Sequence, residues 1–181
     1  MDLEQLKYPV GQFNMPEIFD DRQAKIWIAE IEALPEIIKK ATDNLSKEQL
    51  NQAYRPEGWT LRQVVHHLPD SHMNAYIRFK QIITEDIPII RPYYEERWAE
   101  TEEAKNDDIE MSIILLKGLH QRWAAFLKTL KLEDYQRKYI HPEHGEEFTL
   151  GNMLGMYAWH GKHHLAHITN TMFQNITPNL L

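Results

Sequence analysis

Histidine is the residue type in this chain whose number and spacing point to chemistry. Ten are present, and seven of them fall in two short windows: His66, His67 and His72 in one, His160, His163, His164 and His167 in the other. Imidazole nitrogens bind borderline divalent ions such as zinc and nickel, and they exchange protons near neutral pH. There is no cysteine, so thiolate metal sites, iron–sulfur clusters and cysteine nucleophiles are excluded. Any metal must rest on histidine nitrogen, with carboxylate or water oxygen completing the shell. The missing thiols also fit a cytoplasmic setting.

Helical spacing sorts these residues. With about 100° per residue, His160, His163, His164 and His167 share a helix face with Met153, Met156, Tyr157 and Thr171, a face suited to an interior. Histidines four apart stand one turn apart and can reach a single ion. Two pairs qualify, His160 with His164 and His163 with His167, and helical geometry does not choose between them. Core histidines bonded to their neighbours give the same pattern. A zinc-like site needs a third protein ligand, plus an open position if it is catalytic, and the first window is the natural donor. His66 lies opposite the apolar arc of Leu61, Val64, Val65, Leu68, Ala75, Phe79 and Ile82 and is expected in solvent. His72 lies inside the arc, as a core residue would. His67 sits at its edge, on a polar stripe with Thr60, Gln63, Ser71, Asn74 and Arg78 that faces either a reaction chamber or water. No HExxH, Glu-x-x-His, Walker loop, GxGxxG or GxSxG occurs. A mononuclear histidine site survives this search.

Four segments have the periodicity needed to carry these residues. The first helix is expected over 20–44 with a kink at Pro35, and the second over 60–84 with Thr60 as N-cap and Pro69 disturbing its middle. A third spans 108–130, with Asp107, Asp108 and Glu110 at its positive end. The fourth follows Thr149, a second N-cap, to about residue 175. Some twenty residues separate the second and third helices, too many for a helical hairpin and suited to a crossover. Residues 137–148 are expected to form a small hairpin or ordered loop, and 1–19 an extended arm on the body or reaching a partner subunit. The reading is an all-α four-helix bundle, a fold whose interior accommodates metal sites.

Composition agrees. The 181 residues are 43% hydrophobic and 26% charged, with seven glycines and no repeat, as expected of one domain spanning 1–181 that buries roughly 70% of its unfolded surface. No apolar run approaches the roughly 20 residues of a membrane span, and the N-terminus lacks the marks of a signal peptide. The formal charge of -7 opposes binding to nucleic acid or an anionic membrane. The expected partner is a small molecule.

Three stretches taken together, GWTLRQVVHHLPDSHMNAYIRFK, IRPYYEERW and YAWHGKHHLAHI, resemble the YfiT-type branch of the DinB-like superfamily, from about Tyr8 to the end of the chain. The resemblance implies a four-helix bundle with a long crossover between helices 2 and 3. It also implies one divalent ion on three histidines. Carried over by position, these are His67, the histidine directly before leucine in VVHHL, and His160 and His164 in the last helix. Zinc is the expected ion, with nickel another this donor set accepts. His167 falls where relatives often have a polar residue such as glutamine, and Pro69 stands where a small helix former is expected. The branch implies a metal-dependent hydrolase, in which the metal activates water. Other DinB-like proteins resemble transferases that join thiols such as bacillithiol to electrophiles, and here such a thiol would come from solution. A homodimer is also implied.

The remaining polar residues have expected roles. Arg78, about three turns along the stripe from His67, suits a substrate carboxylate or an ion pair with a nearby acid. Arg91 suits covering the site or anchoring the connection. Asp70 and Asn74 are placed to orient His67, and His163 and His167 to support the other ligands. His141 and His144 suit the mouth of the site as acid or base. Trp59, Trp98, Trp123 and Trp159 are expected in the core or at an interface. The competing reading is a non-catalytic interaction or sensor bundle with structural metal or satisfied core histidines.

Overall fold

The computed structural model describes residues 2–143 and 145–176, with side chains followed to residue 172; His144 therefore lies outside the described residues. Four long helices make the bundle: α2 (Asp21–Thr42), α4 (Leu61–Thr84), α7 (Glu110–Leu127) and α8 (Leu150–Ile176). The short helices α1 (Leu3–Lys7), α3 (Lys47–Leu50), α5 (Glu95–Ala99) and α6 (Glu102–Asn106) lie between or before them. The expected helices are all present, and their N-caps act as anticipated. Thr60 Oγ1 accepts from Gln63 N at 3.2 Å while Gln63 Oε1 accepts from Thr60 N, a reciprocal capping box. Thr149 and Asn152 make the same exchange at the start of α8.

Both α2 and α4 pack against α7 and α8. The crossover from α4 to α7 carries α5 and α6 across the outer side of α4, where Gln63 Nε2 donates to Ala99 O at 2.8 Å. This explains one correction. His66 is buried, with Nδ1 2.7 Å from Ser112 Oγ, because the end of the crossover and α7 close over the face that α4 alone would present to water. Neither proline ends its helix: α2 runs through Pro35 and α4 through the buried Pro69. Strand β1 (Lys138–His141) pairs antiparallel with β2 (Glu146–Thr149), as the expected hairpin requires, with Tyr139 opposite Phe148. The arm lies on the body and includes the α1 turn that its lack of apolar periodicity did not predict. Phe13, Met15 and Phe19 pack on the core, and Gly11 O accepts from Trp159 Nε1.

The buried apolar residues fall into two clusters. One gathers Trp27, Ile28, Ile31, Phe79, Ile82, Trp123, Leu127, Leu150 and Leu154; the other Leu34, Ile38, Leu61, Val64, Leu68, Ile113, Leu116 and Ile168. Between them along the helices lie His72 of α4, His120 of α7 and His160 to His167 of α8, so a stratum of imidazoles divides the core. Trp123 reaches that stratum, with its ring centroid 5.7 Å from His72 and 5.6 Å from His120, and is fully buried. Trp123→Ala is expected to cost about 3–5 kcal/mol of stability, measured by urea unfolding monitored through circular dichroism.

Candidate metal centre

Helix α4 supplies His67 and α8 supplies His160 and His164. One nitrogen from each lies within 4.8 Å of the others. The ring centroids are 4.5 Å apart for His160 and His164, 4.9 Å for His67 and His164, and 5.3 Å for His67 and His160. His67 Nε2 and His160 Nε2 approach to 3.2 Å. The three rings sit at one side of a cleft of about 740 Å³ that Trp59, Glu95, Glu100 and Trp159 also line. The Trp59 ring packs 4.8 Å from His67, centroid to centroid.

The donor set suits a divalent ion. Burial, reinforced by neighbouring imidazoles, lowers His67 to about 3 and holds His160 and His164 well below the ordinary histidine range. All three rings are therefore neutral near pH 7 and can offer a lone pair without first losing a proton. Two helices converging on three such nitrogens, beside open space, match the requirements of a three-histidine site with a free coordination position.

A second group, His163, His164 and His167, also falls within 4.8 Å. It comes from one helix and shares His164, and both nitrogens of His167 are occupied: Nδ1 lies 3.3 Å from His164 Nδ1 and Nε2 3.2 Å from Lys7 O. Tyr54 stacks on the His167 ring at 3.9 Å. His163 stacks on Trp159 at 4.5 Å and has a buried Nδ1 without a hydrogen-bond partner among the described residues. His167 thus meets His164 nitrogen to nitrogen, whereas His163 packs its ring edge-on against His164 at 4.9 Å and lines the cleft.

The other anticipated residues are distributed unevenly. Among the described residues Asp70 and Asn74 make no hydrogen bond to His67; Asn74 Nδ2 donates to Asp70 O, which turns the amide along the helix and away from the ring. The group beside His67 Nδ1 is the Tyr93 hydroxyl, at 3.5 Å. Arg78 is buried, and Nη1 donates to the Tyr157 hydroxyl at 3.2 Å and Nη2 to Arg91 O at 2.8 Å. No carboxylate among the described residues forms an ion pair with Arg78. Arg91 anchors the crossover through this backbone oxygen while its own side chain is exposed. Arg78 and His141 line a small cavity of about 160 Å³ that Ser71, Tyr93, Tyr157 and His160 also border. Of the tryptophans, Trp123 is fully buried and Trp98 is 40% exposed.

Sequence reasoning missed the group beside His67 and the depth of the histidine stratum. His160 Nδ1 lies 2.9 Å from His72 Nε2, His72 Nδ1 2.7 Å from His120 Nε2, and His120 Nδ1 2.5 Å from Ile31 O. A signal was present: His120 shares the buried face of its helix with Leu116, Trp123, Ala124 and Leu127.

A family model described as the DinB superfamily matches residues 30–168. A "Putative metal-dependent hydrolase" of Bacillus cereus (strain 03BB102) is 48% identical over 168 residues, which cover 93% of this chain and 96% of the relative. One from Oceanobacillus iheyensis is 49% identical over 164 residues, 91% and 94% of the two chains. Among solved structures, YfiT from Bacillus subtilis, described as a probable metal-dependent hydrolase with an unusual four-helix bundle topology, superposes with a TM-score of 0.92. It is 45% identical, and the match covers 94% of this chain and 98% of that one.

Burial lifts the Asp70 carboxyl from 3.8 to about 6, and the charge of Glu103 adds to the effect. An acid whose folded pKa is raised holds its proton longer in the folded state, so stability falls as pH rises from about 4 through 6. Asp70→Asn removes this penalty. Its melting temperature relative to the parent should rise across that window and then level off, as scanning calorimetry at pH 4, 5, 6 and 8 would record.

Proposed function

The chain belongs to the DinB superfamily, and from that premise we propose that it is a metal-dependent hydrolase of a small substrate, with one divalent ion, zinc first, on His67, His160 and His164. The observation that carries this reading is the convergence of three imidazole nitrogens, two of them on buried residues and one on the half-buried His160, within 4.8 Å on one side of a cleft. When bound, an ion with an open position supplies Lewis acidity there, the means by which water becomes nucleophilic near neutral pH.

The chain's own residues prepare that position. Trp59 covers one flank of His67 and keeps water from it. Tyr93 faces the outer nitrogen of His67 and steadies the ring. Arg78, held by Tyr157 and the Arg91 carbonyl and lacking an ion-pair partner among the described residues, keeps its charge for an anionic group of the substrate. His141 borders the same cavity and is the described histidine placed to hand on a proton.

Metal analysis of purified protein is expected to find one ion per chain. His67→Ala, His160→Ala and His164→Ala are each expected to weaken its binding by more than about 100-fold, beyond the usual effect of an outer-shell change. Equal metal content in the parent and all three variants would overturn the assignment. Zinc-dependent cleavage of a panel of small esters and amides without added thiol supports hydrolysis. Turnover that strictly requires an added low-molecular-weight thiol would replace hydrolysis with thiol transfer.

Arg78→Met is expected to leave metal content unchanged and to raise KM about 10-fold or more for a carboxylate-bearing substrate, but not for its neutral ester analogue. Steady-state kinetics on the matched pair of substrates measures the difference.

A further inference from the structure

The hydrogen bonds leading away from the three candidate ligands have directions that can be worked out from their far ends. A backbone carbonyl only accepts, and a neutral imidazole has one donor and one acceptor. Ile31 O accepts from His120 Nδ1 at 2.5 Å, so the hydrogen of His120 is on Nδ1 and its Nε2 is an acceptor. His120 Nε2, 2.7 Å away, then requires hydrogen on His72 Nδ1. The free lone pair of His72 Nε2, at 2.9 Å, in turn requires hydrogen on His160 Nδ1. His160 Nε2 is left without hydrogen, facing His67. Ile31 O is available because residue 35 is proline: the helical donor four residues on does not exist, and His120 takes its place.

The second α8 ligand has a shorter chain of the same kind. Lys7 O accepts from His167 Nε2 at 3.2 Å, so His167 Nδ1 is the acceptor for His164 Nδ1–H at 3.3 Å. His164 Nε2 is again left with a lone pair. His67 differs, because no carbonyl among the described residues fixes it. Its Nε2 lies 3.2 Å from the accepting Nε2 of His160 and donates there, while the Tyr93 hydroxyl at 3.5 Å serves its Nδ1.

We propose that the carbonyls of Ile31 and Lys7, acting through His120 and His72 and through His167, fix His160 and His164 as the tautomers that present Nε2 lone pairs to the metal. His67 is then the one ligand that must change tautomer when metal binds. A proton leaves His67 Nε2 and another is taken up at Nδ1, with the Tyr93 oxygen becoming the acceptor, and the net charge of the ring does not change. His72, His120 and His167 are positioning residues. Their role rests on the ligand assignment above, but the tautomers of the metal-free protein can be read independently of it.

The test is long-range proton–nitrogen correlation NMR on histidine-labelled protein at a fixed pH near 7.5, metal-free and then zinc-loaded, with zinc affinity from competition against a chromophoric chelator. In the metal-free protein His72, His120, His160 and His164 are expected with hydrogen on Nδ1, and His67 and His167 with hydrogen on Nε2. Zinc should switch His67 alone. His120→Leu should move the hydrogen of His160 to Nε2 and weaken zinc binding about 10- to 100-fold. His120→Gln, whose amide can donate to Ile31 O and accept from His72, should restore both. Hydrogen on Nε2 of His160 or His164 in the metal-free parent, or unchanged zinc affinity in His120→Leu, would overturn the proposal. The expected metal-free tautomers in a protein that binds no zinc would instead overturn the ligand assignment and leave the two chains standing.

Discussion

Six hydrogen-bonded histidines, His67, His72, His120, His160, His164 and His167, cross the interior of this bundle, and in that low-dielectric setting a nitrogen without a partner costs free energy. This constraint organises the molecule. It splits the apolar core into two clusters and places a third histidine-bearing helix, α7, behind the pair that bears the proposed ligands. It also ends each chain of imidazoles on a backbone carbonyl. A proline inside a helix is ordinarily a defect of a few kcal/mol. In α2 the carbonyl that Pro35 releases is the acceptor on which the longest imidazole chain terminates.

The crossover answers the same need on the other side. The polar stripe of α4 would be costly to bury alone, yet Gln63, Ser71 and Arg78 are all inside. The crossover supplies Ala99 O to Gln63 and Arg91 O to Arg78, and it carries Tyr93 to the outer edge of His67. A connection too long for a helical hairpin thus serves as a wall of the site, and its two short helices lie against α4.

How far the sequence reaches can be judged residue by residue. The four helices were legible because apolar periodicity and capping residues agree, as at Thr60 and Thr149. His67, His160 and His164 came from the resemblance, since periodicity alone left His72 and the pair His163 and His167 as competitors. His66 was misjudged because a helical wheel knows nothing of a segment forty residues on that packs over the solvent face. Tyr93 and the partners of Arg78 lie in irregular backbone, where no period links position to direction. His120 was visible as a histidine on an apolar face, but only its contact with His72 shows why it is there.

The docking of the arm has a consequence for how the protein comes into being. Lys7 is synthesised before all four bundle helices, and the histidine it holds lies in α8, the last of those four. Two of the three proposed ligands are in that helix as well. A growing chain can therefore gather α2, α4 and α7 into a partial bundle, but the three proposed ligands come together only after α8 has been made. A chain that has not yet reached α8 offers His67 without His160 and His164.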